Sequence, residues 1–130
     1  MTDGFCLRVG DETIEVDVDP AGAPRTWAAL AGLLPLRADL HYARIAGLEI
    51  MFIVPFLLPI EAATDVQDLQ PGAALYWPER QLVCLYYGSP QEESATGTYL
   101  GQVRNLETLR AIGERVRERQ GASAEVTRCP

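Results

Sequence analysis

The 130-residue sequence predicts a mainly β fold: a closed, mostly antiparallel barrel of about eight strands capped by two helices. Three observations carry this expectation. Short apolar or alternating runs recur along the chain with turn residues between them, most clearly in residues 75–88, where Leu75-Tyr76-Trp77 and Leu82-Val83-Cys84-Leu85-Tyr86-Tyr87 flank Pro78-Glu79-Arg80-Gln81. Only two segments place apolar residues at helical spacing. The remaining runs follow one another as hairpins, without the strand–helix–strand alternation that a parallel sheet requires.

Residues 5–9 and 12–18 flank Gly10-Asp11, a two-residue turn signal. In the second run Ile14, Val16 and Val18 alternate with Thr13, Glu15 and Asp17, so one face is buried and the other wet. Asp19-Pro20-Ala21-Gly22 breaks the strand, and Ala23-Pro24 opens a helix, because proline in a first turn lacks only an N–H that has no partner there. Trp27, Leu30, Ala31 and Leu34 share one face of this helix, which Pro35 ends; Trp27 is expected to plug one end of the sheet.

Residues 39–44 and 48–54 form the next two strands around a turn at Ala46-Gly47, with Leu48, Ile50, Phe52 and Val54 on one side and Glu49, Met51 and Ile53 on the other. Residues 55–59 are irregular and apolar, and residues 61–70 read as a polar connection. Gln70-Pro71-Gly72 then turns the chain into the hairpin of residues 75–88, whose second run suits a strand buried on both faces. Residues 89–97 are the most loop-like part of the chain. Another strand covers 98–104. Asn105 is placed to cap a helix that turns Leu106, Leu109, Ile112 and Val116 inward and stops at Gly121, and residues 124–127 supply a closing strand.

Composition bounds the function. An apolar content of 48% is too high for disorder, and the length suits one domain, residues 1–130. No apolar run reaches the roughly 18 residues that span a bilayer, and Met1-Thr2-Asp3-Gly4 lacks a signal-peptide pattern, so no membrane partner and a cytoplasmic location are expected. A net charge of −7 repels phosphate backbones, so nucleic acid is not an expected partner. Arg110, Arg115, Arg117 and Arg119 are interleaved with Glu107, Glu114 and Glu118, the pattern of a solvated helix face. Three cysteines, Cys6, Cys84 and Cys129, show no CxxC spacing and an odd count, so neither a disulfide framework nor a zinc site is expected. Cys84 reads as a small core hydrophobe, and Cys129, next to the C-terminus, as an exposed thiol open to oxidation.

Three segments resemble cyclophilins, and their order and spacing agree. Ala23-Pro24-Arg25-Thr26 is similar to the Ala-Pro-Lys-Thr start of the first cyclophilin helix. His41-Tyr42-Ala43-Arg44-Ile45-Ala46-Gly47-Leu48-Glu49-Ile50 is similar to Phe-His-Arg-Val-Ile-Pro-Gly-Phe-Met-Ile, and Leu100-Gly101-Gln102-Val103 to Phe-Gly-Gln-Val. Gly47-Leu48-Glu49-Ile50, Gly72 followed by Tyr76-Trp77-Pro78, and the strand ending in Tyr87-Gly88 bring the chain closer to small bacterial and archaeal cyclophilin-like proteins of unknown function. The resemblance implies a cyclophilin-like barrel. It also argues against prolyl isomerisation. Arg44 stands for the catalytic arginine with the loop to Gly47 one residue shorter, and Gln81 for the glutamine of the central strand. Leu48 replaces an aromatic floor residue, Met51 a glutamine, Val83 a phenylalanine, and the histidine position falls near Gly97.

The same resemblance puts Glu49 and Met51 on the face where cyclophilins bind peptide. A carboxylate among apolar side chains is desolvated, which raises its pKa unless a cation pairs with it. The candidate catalytic set is therefore Glu49 as general acid/base or ligand anchor, Arg44 to orient or neutralise an anionic group, and His41 or Tyr76 to complete a polar cluster. Met51, Tyr76, Trp77, Gln81 and Tyr99 are the candidate ligand-binding residues. A structural ion pair between Glu49 and Arg44, with no ligand, is the competing reading. No cofactor and no metal are expected, since His41 is the only histidine and no ligand spacing surrounds it. The function classes left open are a barrel that binds a small molecule or short peptide without efficient prolyl isomerase activity, a cofactor-free isomerase, lyase or cyclase built on Glu49, and, more weakly, a prolyl isomerase. A homodimer through an edge strand or through Phe56-Leu57-Leu58 is compatible with the sequence.

Overall fold

The structure is a computed structural model that describes residues 3–42, 48–88 and 95–129. Strands β1 (Gly4–Val9) and β2 (Glu12–Val18) form the first hairpin, with Val9 opposite Glu12 and Gly10 at φ +61° supplying the left-handed turn conformation. Helix α1 (Pro24–Leu33) follows, then β3 (Leu36–Tyr42), β4 (Glu49–Ile53), a short β5 (Ala63–Asp65), β6 (Ala73–Trp77), β7 (Leu82–Tyr86) and β8 (Thr96–Val103). Helix α2 (Leu106–Arg119) and β9 (Ala122–Arg128) complete the described chain.

The strands pair antiparallel in the order β2-β1-β9-β3-β4-β7-β6-β8, and β2 pairs back onto β8, so eight strands close a barrel. Closure runs through Val16, Asp17 and Val18 opposite Val103, Gln102 and Gly101. Gly101 is required there, because a Cβ would strike the Asp17 carbonyl oxygen. The ninth strand, β5, adds to the first half of β8 outside the ring, with Ala63 opposite Thr98.

Alternation along each strand fills the barrel. Phe5 and Leu7, Ile14 and Val16, Ile50 and Phe52, Ala74 and Tyr76, Val83 and Leu85, and Leu100 all point inward and are fully or almost fully buried. Each large side chain removed from water in this way contributes about 1.5–3 kcal/mol. Trp27 of α1 plugs the barrel as the sequence predicts, stacked on Phe5 with ring centroids 6.3 Å apart, and Leu30 is buried beside it. From α2, Leu109, Ile112 and Val116 join the same core.

Three sequence expectations are corrected. Residues 61–70 are more than a polar connection: they hold β5 and a 3₁₀ turn, Val66–Asp68, capped by the Asp65 carboxylate accepting from Gln67 N at 3.0 Å. Val66 and Leu69 from this segment pack on the outside of the barrel against Ala73, Leu75, Cys84 and Tyr86, a second apolar cluster. Two apolar residues in a polar stretch give no periodic signal, so only the apolar outer face they cover reveals them. Asn105 stands at the start of α2 without capping it through its side chain. Its Oδ1 accepts from Glu15 N at 2.9 Å and its Nδ2 donates to Thr13 O at 2.7 Å, so it bolts the helix to β2. Lastly, Cys6 and Cys129 form a disulfide, with Cα atoms 5.4 Å apart. Their separation of 123 positions along the chain hid the pairing, which exists because β1 and β9 are neighbours, with Cys6 opposite Thr127. Cys84 is buried as predicted.

Candidate functional site

Glu49 opens β4, where Ile50 and Phe52 take the inward positions, so alternation turns its carboxylate to the outer wall. Its partner in register is Tyr86 of β7. Just beyond this pair, the N–H groups of Tyr87 and Gly88 both donate to Leu48 O, at 2.9 and 3.3 Å, which holds the two strands together at the site. On an outer wall both side chains would normally be wet. Here Glu49 is 2% exposed and Tyr86 is fully buried.

One pleat further along β4 the outward residue is Met51, opposite His41 of β3 on one side and Cys84 of β7 on the other. Cys84 in turn faces Leu75 of β6, and Leu75 faces Tyr99 of β8. A row of side chains therefore crosses the wall in the order His41, Met51, Cys84, Leu75, Tyr99. Val66 and Leu69 cover its middle, with Met51 and Tyr99 packed half-buried at the margins of that cluster. His41 remains exposed.

The structure thus brings Glu49, Met51 and His41 onto one stretch of wall and separates the other candidates from it. Arg44 lies outside the described residues. Tyr76 is corrected outright as a member of this cluster: it points into the barrel, fully buried, its hydroxyl donating to Phe56 O at 2.9 Å and accepting from Leu58 N at 3.2 Å. Gln81 adopts a left-handed turn conformation at φ 54° beyond the far end of β4, and its Nε2 donates to Phe56 O at 3.3 Å. Trp77 is on the outer face at the end of β6, half-buried, with the Arg80 guanidinium 5.5 Å from its ring centroid. Tyr99 stands across the apolar cover from Glu49 and contacts Gln102 Oε1 at 3.3 Å. Burial, and then Asp19, push its phenol pKa above the ordinary value.

Tyr86 is the site residue that the sequence reading missed. The strand is buried on both faces, as the sequence predicts, and alternation through Leu82–Tyr86 turns Val83 and Leu85 inward and Cys84 and Tyr86 outward. The inward aim of Val83 also means that the residue aligned with the cyclophilin phenylalanine cannot floor an outer groove. The neighbouring Tyr87 has its phenol pKa raised by burial first and by Glu114 next, with a smaller push from Glu49 itself. Among the described residues, no three His, Cys, Asp or Glu side chains gather as a metal site. No helix among them is long and apolar enough to cross a membrane.

Known structures carry the same architecture. McbB, solved in complex with tryptophan, superposes with a TM-score of 0.83 at 17% identity over 95% of this chain, which spans only 44% of McbB. The hypothetical protein AF2241 from Archaeoglobus fulgidus superposes with a TM-score of 0.74 at 23% identity, over 98% of this chain and 95% of its own. At these identities the likeness concerns the fold alone. None of the curated proteins matches the chain. The sequence pattern of the Cyclophilin-like family runs from residue 7 to residue 121, from within β1 through β8 and including both helices, and the chain belongs to that family.

Proposed function

We propose that the chain binds a small molecule on the outer wall of its barrel, with Glu49 as the polar anchor and Tyr86, Met51 and His41 around it. The observation that carries this reading is a carboxylate 2% exposed on a wall where solvent is the default neighbour. Holding an ionisable group out of water costs stability, and such positions are enriched at functional sites. Two further features favour a small ligand over an extended peptide. Val66 and Leu69 already fill the centre of the wall, and Tyr76, which a peptide groove would need, faces inward. McbB, similar in fold, was solved in complex with tryptophan, and a compact ligand of that kind suits this reading.

The second reading is a cofactor-free isomerase, lyase or cyclase in which the same Glu49 carboxylate moves a proton. The exposed imidazole of His41 on the adjacent strand favours it as a second proton carrier.

A thermal-shift screen of metabolites and short peptides, run on the wild type and on Glu49→Gln, tests the proposal. A small molecule that raises the wild-type midpoint and not the variant's is the expected outcome, since ligand binding to the native state alone must stabilise it. A screen in which no compound shifts the wild type, while Glu49→Gln simply melts earlier, makes Glu49 a structural residue and ends the proposal. Turnover of any compound found, lost in Glu49→Gln, selects the enzyme reading.

A further inference from the structure

The outer wall carries a second constellation, which shares His41 and Met51 with the proposed ligand site but does not include Glu49. His41, Met51 and Cys84 occupy directly opposed positions on β3, β4 and β7. Side chains facing each other across antiparallel neighbours have Cβ atoms about 4.5–5.5 Å apart. An imidazole, a thioether and a thiol therefore stand side by side in one row. Their depth is graded: His41 is exposed, Met51 half-buried and packed against the cluster that contains Cys84, and Cys84 only 1% exposed. The other two cysteines are joined to each other, so Cys84 carries the thiol of this chain.

Donor chemistry selects the occupant. Among the described residues no carboxylate-rich or His/Cys-only set converges, which leaves hard cations and zinc without a site here. A thiolate and a thioether with one imidazole are soft donors, and soft sulfur ligands select Cu(I). The outer two residues of the row are about 10 Å apart at Cα, two interstrand spacings. A short cysteine from one side and a longer imidazole from the other can meet above the flexible thioether between them.

We propose that His41, Met51 and Cys84 bind one soft monovalent cation, Cu(I), in a site open to solvent at His41 and closed at Cys84. Binding forms two metal–sulfur bonds and one metal–nitrogen bond. The Cys84 thiol proton leaves to solvent, and the ion enters already reduced, so no electron moves. Val66, Leu69 and Tyr86, packed with Cys84, exclude water from the thiolate end.

The test uses the whole chain with its disulfide intact, under anaerobic conditions. Ag(I), which is redox-inert, gives stoichiometry by native mass spectrometry, and Cu(I) held by bicinchoninate gives relative affinity. The expected result is a single ion per chain and a thiolate-to-metal ultraviolet band that is absent in Cys84→Ser. Met51→Leu and His41→Ala each weaken Cu(I) binding by roughly tenfold or more while leaving the far-ultraviolet circular dichroism unchanged. The proposal is overturned if the wild type takes no ion. It is equally overturned if Met51→Leu and His41→Ala bind as tightly as the wild type, because the thiol would then be acting alone. The Glu49 reading is decided separately, by the metal-free screen on Glu49→Gln, a residue outside this row.

Discussion

Glu49 on β4 and Tyr86 on β7 face each other on the outside of the barrel, and both are sealed from solvent. A carboxylate and a phenol buried together on an outer wall have no role in filling the barrel, which Ile50, Phe52, Val83 and Leu85 already do from the same two strands. This pair is the centre of the proposed ligand site, and its hydroxyl is the simplest part to remove.

Tyr86→Phe keeps the ring and deletes the oxygen. It should leave the chain folded and reduce the ligand-induced rise in melting temperature found with the wild type. An undiminished rise would place the ligand away from this wall.

Tyr76→Phe should do the reverse. Its hydroxyl holds Phe56 O and Leu58 N inside the barrel, so its loss should cost about 1–3 kcal/mol in urea unfolding and leave ligand binding intact. The two tyrosine variants together distinguish the outer site from the core.

Glu61 anchors α1 from a distance. Its Oε1 accepts from Thr26 N and Thr26 Oγ1, each at 2.8 Å, and its Oε2 accepts from Arg25 N at 3.1 Å. Burial opposes ionisation of this carboxyl, but the bonds from Thr26 and Arg25 outweigh it and hold its pKa below the ordinary value. Glu61→Gln should therefore destabilise the protein by about 1 kcal/mol at neutral pH, a size typical of lost helix caps. Because the folded-state pKa is depressed, the contribution is complete above the ordinary carboxylate range and disappears as pH falls through the folded value. Wild-type and variant unfolding curves should converge in that acid window.

The Cys6–Cys129 bond closes almost the entire chain into a loop. Cys129→Ala should lower stability by about 2–4 kcal/mol, chiefly by freeing the unfolded chain, with no change in the native circular dichroism. Equal unfolding midpoints for the two proteins would show that the bond adds nothing to the fold.

Gly101→Ala tests barrel closure. A Cβ there meets the Asp17 carbonyl, which belongs to a paired strand and cannot rotate away. A loss of about 1–3 kcal/mol or more in urea unfolding is expected, well beyond the near-neutral effect of an alanine in open sheet.

Much of this fold is legible in the sequence because it is periodic. The alternation of Ile14, Val16 and Val18 fixes one wall of β2, and the helical spacing of Leu109, Ile112 and Val116 fixes the buried face of α2. Periodicity also put Glu49 and Met51 on the opposite side of β4 from Ile50 and Phe52, which is where they are. The same rule, applied to residues 82–86, would have placed Tyr86 beside Glu49, but an unbroken apolar run hid the alternation. Tyr76 was misplaced for a related reason: in a strand where every residue from Ala73 to Tyr76 is buried, composition no longer tells inside from outside.

By itself, then, the sequence determined the two helices, the eight barrel strands in their hairpin order, the inward faces of β2, β4 and α2 and the membership of the barrel class, since these follow from local turn chemistry and from the periods of 2 and 3.6 residues. Only the tertiary structure decided the rest. The Cys6–Cys129 bond, the Glu61 anchor on α1, the Asn105 bolt to β2, the cover of Val66 and Leu69 and the His41–Met51–Cys84 row all join residues far apart in the chain. Contacts of that kind leave no periodic trace. They depend on which strands become neighbours when the sheet closes, a property of the barrel as a whole.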